Sequence, residues 1–190
     1  MKLVILARDG TINQDSAEFV KTPEEWTPLP GALEAIARLN HAGWHVVVAS
    51  NQSGLGRGLF EVSTLNAMHA KMHKLLAAVG GRVDAVFYCP HAPDEGCHCR
   101  KPEPGLFEQI GERYGIELHN VPTLGDTERD VMASVAAGCE PHLVLTGKGA
   151  AYRGRPLPDT WPKETRVHDD LAAFAEFLIA RETQAEAESA

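Results

Sequence analysis

The sequence predicts an α/β fold: a three-layer, Rossmann-like, mostly parallel sheet with helices on both faces. Three observations carry this. Short apolar runs alternate with helix-length amphipathic stretches along almost the whole chain. Several of the runs are continuously apolar, as strands covered on both faces are. Polar segments follow the runs, where such sheets bind their ligands.

Lys2–Leu6 reads as a buried strand. Ala32–Ala42 reads as a helix, opened by Pro30-Gly31 and closed by Gly43. Trp44–Ala49 is a strand rich in β-branched residues. Val62 to Ala78 is a helix with Leu65, Met68, Met72 and Leu75 on one face. Val83–Tyr88 is a third strand, and Pro104–Tyr114 a helix with Pro in its first turn and Gly115 beyond its end. Val121–Leu124 and His142–Leu145 are short strands around the helix Arg129–Ala137. Arg166–His168 is an edge strand and Leu171–Arg181 the last helix. Residues 1–181 are expected to form one domain, and Glu182–Ala190 a frayed polar tail.

Composition bounds the function. The chain has 190 residues, 44% hydrophobic and 23% charged, which excludes wholesale disorder and fits a single domain. Lys and Arg total 18 against 26 Asp and Glu, a net charge of −8, which argues against a nucleic-acid surface. No run approaches the ~20 apolar residues of a membrane span, and Met1–Leu6 is too short for a signal peptide. Three of the four cysteines fall within eleven residues beside a histidine. That is metal spacing rather than a disulfide framework, and it suits a reducing cytoplasm.

Chemistry gathers at the strand ends. After the first strand comes Ala7-Arg8-Asp9-Gly10-Thr11. After the second comes Ser50-Asn51-Gln52-Ser53-Gly54. After the third comes a Cys/His loop closing on Arg100-Lys101-Pro102. After the fourth comes Gly125-Asp126-Thr127-Glu128-Arg129-Asp130. Two separated acids can hold Mg²⁺, which prefers oxygen ligands. A lysine, an arginine, a hydroxyl and backbone N–H groups can surround a phosphoryl group. Phosphoryl transfer asks mainly for such positioning and charge neutralisation. The loop reads Cys89-x-His91-x₅-Cys97-x-Cys99, a closed Cys₃His set suited to structural Zn²⁺.

These four segments, in this order and with the Cys/His loop, resemble the motifs of haloacid dehalogenase-superfamily phosphatases. The pattern is similar to the histidinol-phosphatase-like branch and, within it, to the heptose 1,7-bisphosphate 7-phosphatases, over roughly residues 1–170. The resemblance implies a nucleophilic Asp at position 7, which forms an aspartyl-phosphate and helps hold Mg²⁺. Here that residue is Ala7. It implies Asp9 as general acid and base and, through its carbonyl, a metal ligand. Ser50 and Lys101 would hold the transferring phosphoryl, Asp126 would bind the metal, and Asp130 would support Lys101 or metal waters. Arg100, Asn51, Gln52 and Ser53 would meet substrate, as would the loop Asp15, Ser16, Ala17 and Glu18. The implied partner is a small sugar phosphate, with neither nucleic acid nor membrane, and a self-contained domain is compatible with a monomer. No large insertion follows the first motif or separates the second from the third, so no cap domain is expected.

A methyl group cannot attack phosphorus, so the chain is expected to be inactive or nearly so. The retained Asp9, Lys101 and Asp126 favour an engineered change at position 7 over a natural pseudoenzyme. The alternatives are a histidinol-phosphate phosphatase and a non-catalytic phosphosugar-binding module. Gly54-Leu55-Gly56-Arg57-Gly58 lacks dinucleotide spacing and reads as a flexible loop. Cys139, Trp26 and Trp161 read as packing residues, and His41, His45, His119, His142 and His168 as surface or packing residues without partners.

Overall fold

A computed structural model describes residues 1–190. Six strands form one parallel sheet: β1 Lys2–Leu6, β2 Trp44–Asn51, β3 Ala85–Cys89, β4 Pro122–Gly125, β5 Glu140–Val144 and β6 Arg166–His168. Their order is β3-β2-β1-β4-β5-β6. The chain runs outward from β1 to one edge, then returns to build the other half beside β4. The reversal between β1 and β4 opens a crevice at the carboxyl ends of the strands.

The β1 side chains alternate between two cores, as the pleat requires. Val4 and Leu6 face the larger core, built with Val46 and Val48 under α1 (Ala32–His41), α3 (Val62–Ala78) and α6 (Leu171–Ser189). Leu3 and Ile5 face the smaller core, with Val47, Ala49, Leu106, Phe107 and Ile110 from the side of α4 (Gly105–Tyr114) and Ala133 of α5 (Glu128–Ala136). Trp26, Trp161 and Cys139 are buried, as packing residues should be.

The sequence expectations for the elements largely hold, with shifts at the ends. The third strand starts at Ala85 rather than Val83 and reaches Cys89, because the ladder with β2 begins at Val47↔Ala85. The second strand continues through Ser50 and Asn51 for the same reason. On α3 the buried stripe is Leu65, Met68, His69, Met72 and Leu76, so it ends on Leu76 rather than Leu75. Two corrections are larger. The expected flexible loop at 54–58 begins inside a single helical turn, α2 (Ser53–Gly56), with Arg57 stacked 5.4 Å from the Phe19 ring centroid. The expected frayed tail continues α6 to Ser189. Ala, Glu and Gln fill that stretch with no breaker, and Gln184 donates to Glu188 one turn on. The expectation of partnerless histidines fails at His45, His142 and His168. His142 Nδ1 lies 2.8 Å from His168 Nε2, and its own Nε2 lies 2.6 Å from Glu140. His45 pairs with Asp84 at 3.3 Å.

Candidate active site

Ala7 ends the β1 rung: its N–H donates to the Leu124 carbonyl at 2.8 Å, and its methyl lines a cavity of about 410 Å³ over the reversal point. Five basic and four acidic side chains line that cavity, with only three hydrophobic residues. It is built to hold charge, not an apolar ligand.

Asp9 enters it from the turn after β1. Its Oδ1 accepts from Arg8 Nε at 2.9 Å and from Asn13 Nδ2 at 3.0 Å, while no protein donor reaches Oδ2. One oxygen is tied down and the other is left for the cavity. The turn continues through Gly10 at φ +80°, where any Cβ would collide with the Asp126 carboxylate. Glycine therefore lets the β1 and β4 loops touch.

The β2 end presents Ser50, Asn51 and Ser53, all on the cavity wall. Gln52 is buried and turned inward, donating to Ser50 Oγ at 2.7 Å. It is therefore a support for Ser50 and not a lining residue, because its amide is spent on the Ser50 hydroxyl. Asn51 grips the backbone of Lys101 with both ends of its amide: Oδ1 accepts from Lys101 N–H at 2.9 Å and Nδ2 donates to its carbonyl at 3.2 Å. Lys101 is 3% exposed, and its ammonium donates to the Ala49 carbonyl and to Asp130 Oδ1 at 2.9 Å.

Asp130 serves two structures. Its Oδ2 accepts from Asp126 N–H, Thr127 N–H and the Thr127 hydroxyl, while Thr127 Oγ1 caps the Asp130 N–H, a reciprocal box that starts α5. Gly125 has no room for a side chain against Asp130. Burial alone would raise the Asp130 carboxyl, but the charge and hydrogen bond of Lys101 and the Thr127 donors hold it below the usual carboxylate range. Asp126 behaves oppositely. Burial first, then repulsion from Asp130, push it up to about 7, although Lys148 N–H donates to its Oδ2 at 2.9 Å. A buried carboxylate raised in this way suits a hard cation, and Mg²⁺, which prefers oxygen ligands, fits this donor.

Of the loop after β1, Asp15, Ser16 and Ala17 line the cavity and Glu18 does not. Glu18 is exposed, on the turn that carries the chain away. Arg100 lines the cavity with its Nη1 buried and without an acceptor. Five further residues on the wall were not read as site residues from the sequence: Arg8, Phe19, Thr127, Arg129 and Lys148. Lys148 follows β5, a fifth strand end that the search for polar segments passed over. It forms a 3.3 Å ion pair with Asp15 across the cavity.

Beside this site, Cys89, His91, Cys97 and Cys99 bring one ligand atom each within 4.8 Å of one another. The Cys89–Cys97 Sγ separation is 3.6 Å, and His91 Nδ1 lies 3.4 and 3.3 Å from Cys89 and Cys99 Sγ. A tetrahedron with Zn–S of about 2.3 Å and Zn–N of about 2.0 Å has edges of about 3.8 and 3.5 Å. The donor set matches that metal in kind and in size. His98, inside the motif, turns outward to Glu108 at 2.9 Å.

The chain is 57% identical to the D-glycero-beta-D-manno-heptose-1,7-bisphosphate 7-phosphatase of Bordetella bronchiseptica, over 94% of this chain and 98% of that protein. The chain belongs to this phosphatase family, in the haloacid dehalogenase superfamily. The Pseudomonas aeruginosa heptose-bisphosphate 7-phosphatase is 51% identical over 93% of this chain and 97% of its own length. The crystal structure of the Bordetella bronchiseptica heptose bisphosphate phosphatase, complexed with magnesium and phosphate, superposes with a TM-score of 0.91 at 56% identity, covering 95% of this chain and 99% of that one. Two family models also match: the polynucleotide kinase 3 phosphatase model over residues 3–127 and the HAD-hydrolase-like model over residues 98–174. The fold class expected from the strand-end pattern is thus that of the heptose-bisphosphate phosphatase family. No helix is long and apolar enough to cross a membrane.

Proposed function

We propose that this chain is the scaffold of a Mg²⁺-dependent phosphatase for the 7-phosphate of D-glycero-D-manno-heptose 1,7-bisphosphate, disabled at Ala7. The observation that carries this is the convergence of Asp9, Ser50, Lys101 and Asp126 on one cavity, with the methyl group of Ala7 among them. The substrate class follows from the full-length relatives, whose names also specify the beta anomer of the bisphosphate. No observation favours the histidinol-phosphate alternative.

Each residue has a part in the chemistry. Lys101 and the Ser50 hydroxyl neutralise and orient the transferring phosphoryl. Asp9 Oδ2 delivers a proton to the leaving oxygen and, in the second half-reaction, takes one from water. Arg100, with its free Nη1, and Asn51 and Ser53 meet the substrate, as do Asp15, Ser16 and Ala17. Asp126 and the Asp9 carbonyl would hold Mg²⁺, which when bound offsets charge on the phosphoryl oxygens. Cys89, His91, Cys97 and Cys99 would hold a structural Zn²⁺ that fixes the loop leading to Arg100 and Lys101. The charged, polar cavity suits a small polar substrate, and the cysteine set suits a reducing cytoplasm. We assign the alanine to an engineered change, because the partners of the missing carboxylate are all in place.

The test is phosphate release with Mg²⁺ from the heptose bisphosphate by Ala7→Asp beside the chain as it stands. Losing a nucleophile costs on the order of 10⁶ in turnover. Rapid release by Ala7→Asp and almost none by the original chain are expected. Micromolar sugar-phosphate binding with no turnover in either protein would instead identify a binding module.

A further inference from the structure

Arg8 is fully buried, yet it is not a packing residue. Its Nε donates to Asp9 Oδ1 at 2.9 Å. Its Nη1 lies 3.1 Å from Nε2 of His69, a residue of α3 that is 8% exposed and sixty-one positions away. A guanidinium has only donors, so His69 Nε2 must be the acceptor, and the imidazole proton must sit on Nδ1. The contact therefore admits one tautomer and one charge state. Burial, and then the Arg8 charge, agree with this by drawing His69 down to about 4, so the ring is neutral throughout the working range.

The chain of contacts ends on the free oxygen of the acid–base residue. Arg8 and Asn13 both hold Oδ1, which leaves Oδ2 as the one Asp9 oxygen able to carry a proton into the cavity. Without His69, Arg8 would keep a single acceptor. Its Nη2 already has none, so the guanidinium would turn toward whatever acceptor it could find. Asp9 would then lose the donor that fixes its carboxylate.

Building on the phosphatase reading above, we infer that His69 is a positioning residue for the reaction. As a neutral Nδ1–H imidazole it accepts from Arg8, holds Arg8 on Asp9 Oδ1, and so aims Oδ2 at the leaving oxygen. It touches no substrate and acts through Arg8.

The test has two parts. On the chain as it stands, ¹⁵N correlation spectra of the imidazoles report the tautomer. The expected result is a neutral Nδ1–H ring for His69, with an exchange-protected Arg8 Nε–H that disappears in His69→Leu and persists in His69→Gln, whose amide oxygen can also accept. An Nε2–H or charged ring, or an Arg8 signal indifferent to His69→Leu, overturns the inference. In the Ala7→Asp background, His69→Leu should lower kcat roughly 10- to 100-fold at near-constant KM, since a displacement of about 1 Å can cost ~10² in rate. His69→Gln should recover most of the loss. A loss shared equally by Leu and Gln, or one confined to KM, also overturns it. If Ala7→Asp releases no phosphate at all, the phosphatase reading fails, and the spectra still decide whether His69 orders Arg8.

Discussion

Replacing Asp130 with Ala should be the most costly single change near the cavity. Asp130 accepts from Lys101 Nζ at 2.9 Å, from two backbone N–H groups and from the Thr127 hydroxyl. Its loss leaves the ammonium of Lys101, a residue 3% exposed, with only the Ala49 carbonyl as acceptor. Breaking a buried pair from one side costs about 3 to 5 kcal/mol, and unmaking the reciprocal half of a helix cap about 1 more. The two overlap in the same side chain, so about 4 kcal/mol is expected from urea unfolding at pH 7. A double-mutant cycle isolates the pair: with Lys101→Met already present, the charge is gone, and Asp130→Ala should cost on the order of 1 to 2 kcal/mol for the cap and its N–H partners alone. The pH dependence has a definite sign. The Asp130 carboxyl lies below its ordinary value in the folded state. Its stabilisation is therefore complete above the unfolded value near ~3.9 and lost as pH falls through the lower folded one. A cost below 1 kcal/mol, or full additivity with Lys101→Met, would refute the claim that the buried pair organises this corner.

Two other outcomes follow from the metal sites. Asp126 sits at about 7 in the metal-free protein against 3.8 for an ordinary Asp, because burial and Asp130 favour its neutral form. As pH rises from about 4 to 7 the unfolded chain gives up this proton and the folded chain keeps it, so the metal-free protein is progressively penalised, by roughly 4 kcal/mol at most. Mg²⁺ binds the ionised form, so the rise in Tm on adding Mg²⁺ should grow from pH 5 to pH 8 and vanish in Asp126→Asn. For the Cys₃His set, metal analysis should find one Zn²⁺ per chain. Chelation or Cys97→Ser should lower Tm and loosen residues 90–100 to hydrogen exchange before the rest of the fold; a chain without zinc and with unchanged exchange there would contradict the assignment.

Much of the site could be read from the chain because its parts lie at strand ends, and strand ends are local features. Asp9, Ser50, Lys101 and Asp126 each directly follow an apolar run or a loop that returns to one. The Cys/His spacing was legible for the same reason. Residues whose roles depend on pairing were not. His142 meets His168 only because β5 and β6 run parallel in the register Val144↔His168. Gln52 reads as a lining residue in the chain, but its amide is spent on the Ser50 hydroxyl. His69 carried a local signal, four residues after Leu65 on the buried stripe of α3, but its partner Arg8 lies on a different element. Lys148 follows β5, a fifth strand end, so its position is a local signal of the same kind. The run of α6 past Arg181 was legible in its helix formers, and polarity alone hid it.

The Asn51 side chain gives its donor and acceptor to the backbone of Lys101, as a paired strand residue does. It adds a rung to the sheet where no strand exists. Lys101 is thus held beside β2 although eleven residues separate it from the end of β3. The Cys/His loop that joins them is anchored at its far end by Asn51 as well as by its own ligand set. The exposed stretch Pro93–Gly96, between His91 and Cys97, can be rewritten or recharged to suit another phosphate ester, while the cation that meets the phosphoryl group stays in place.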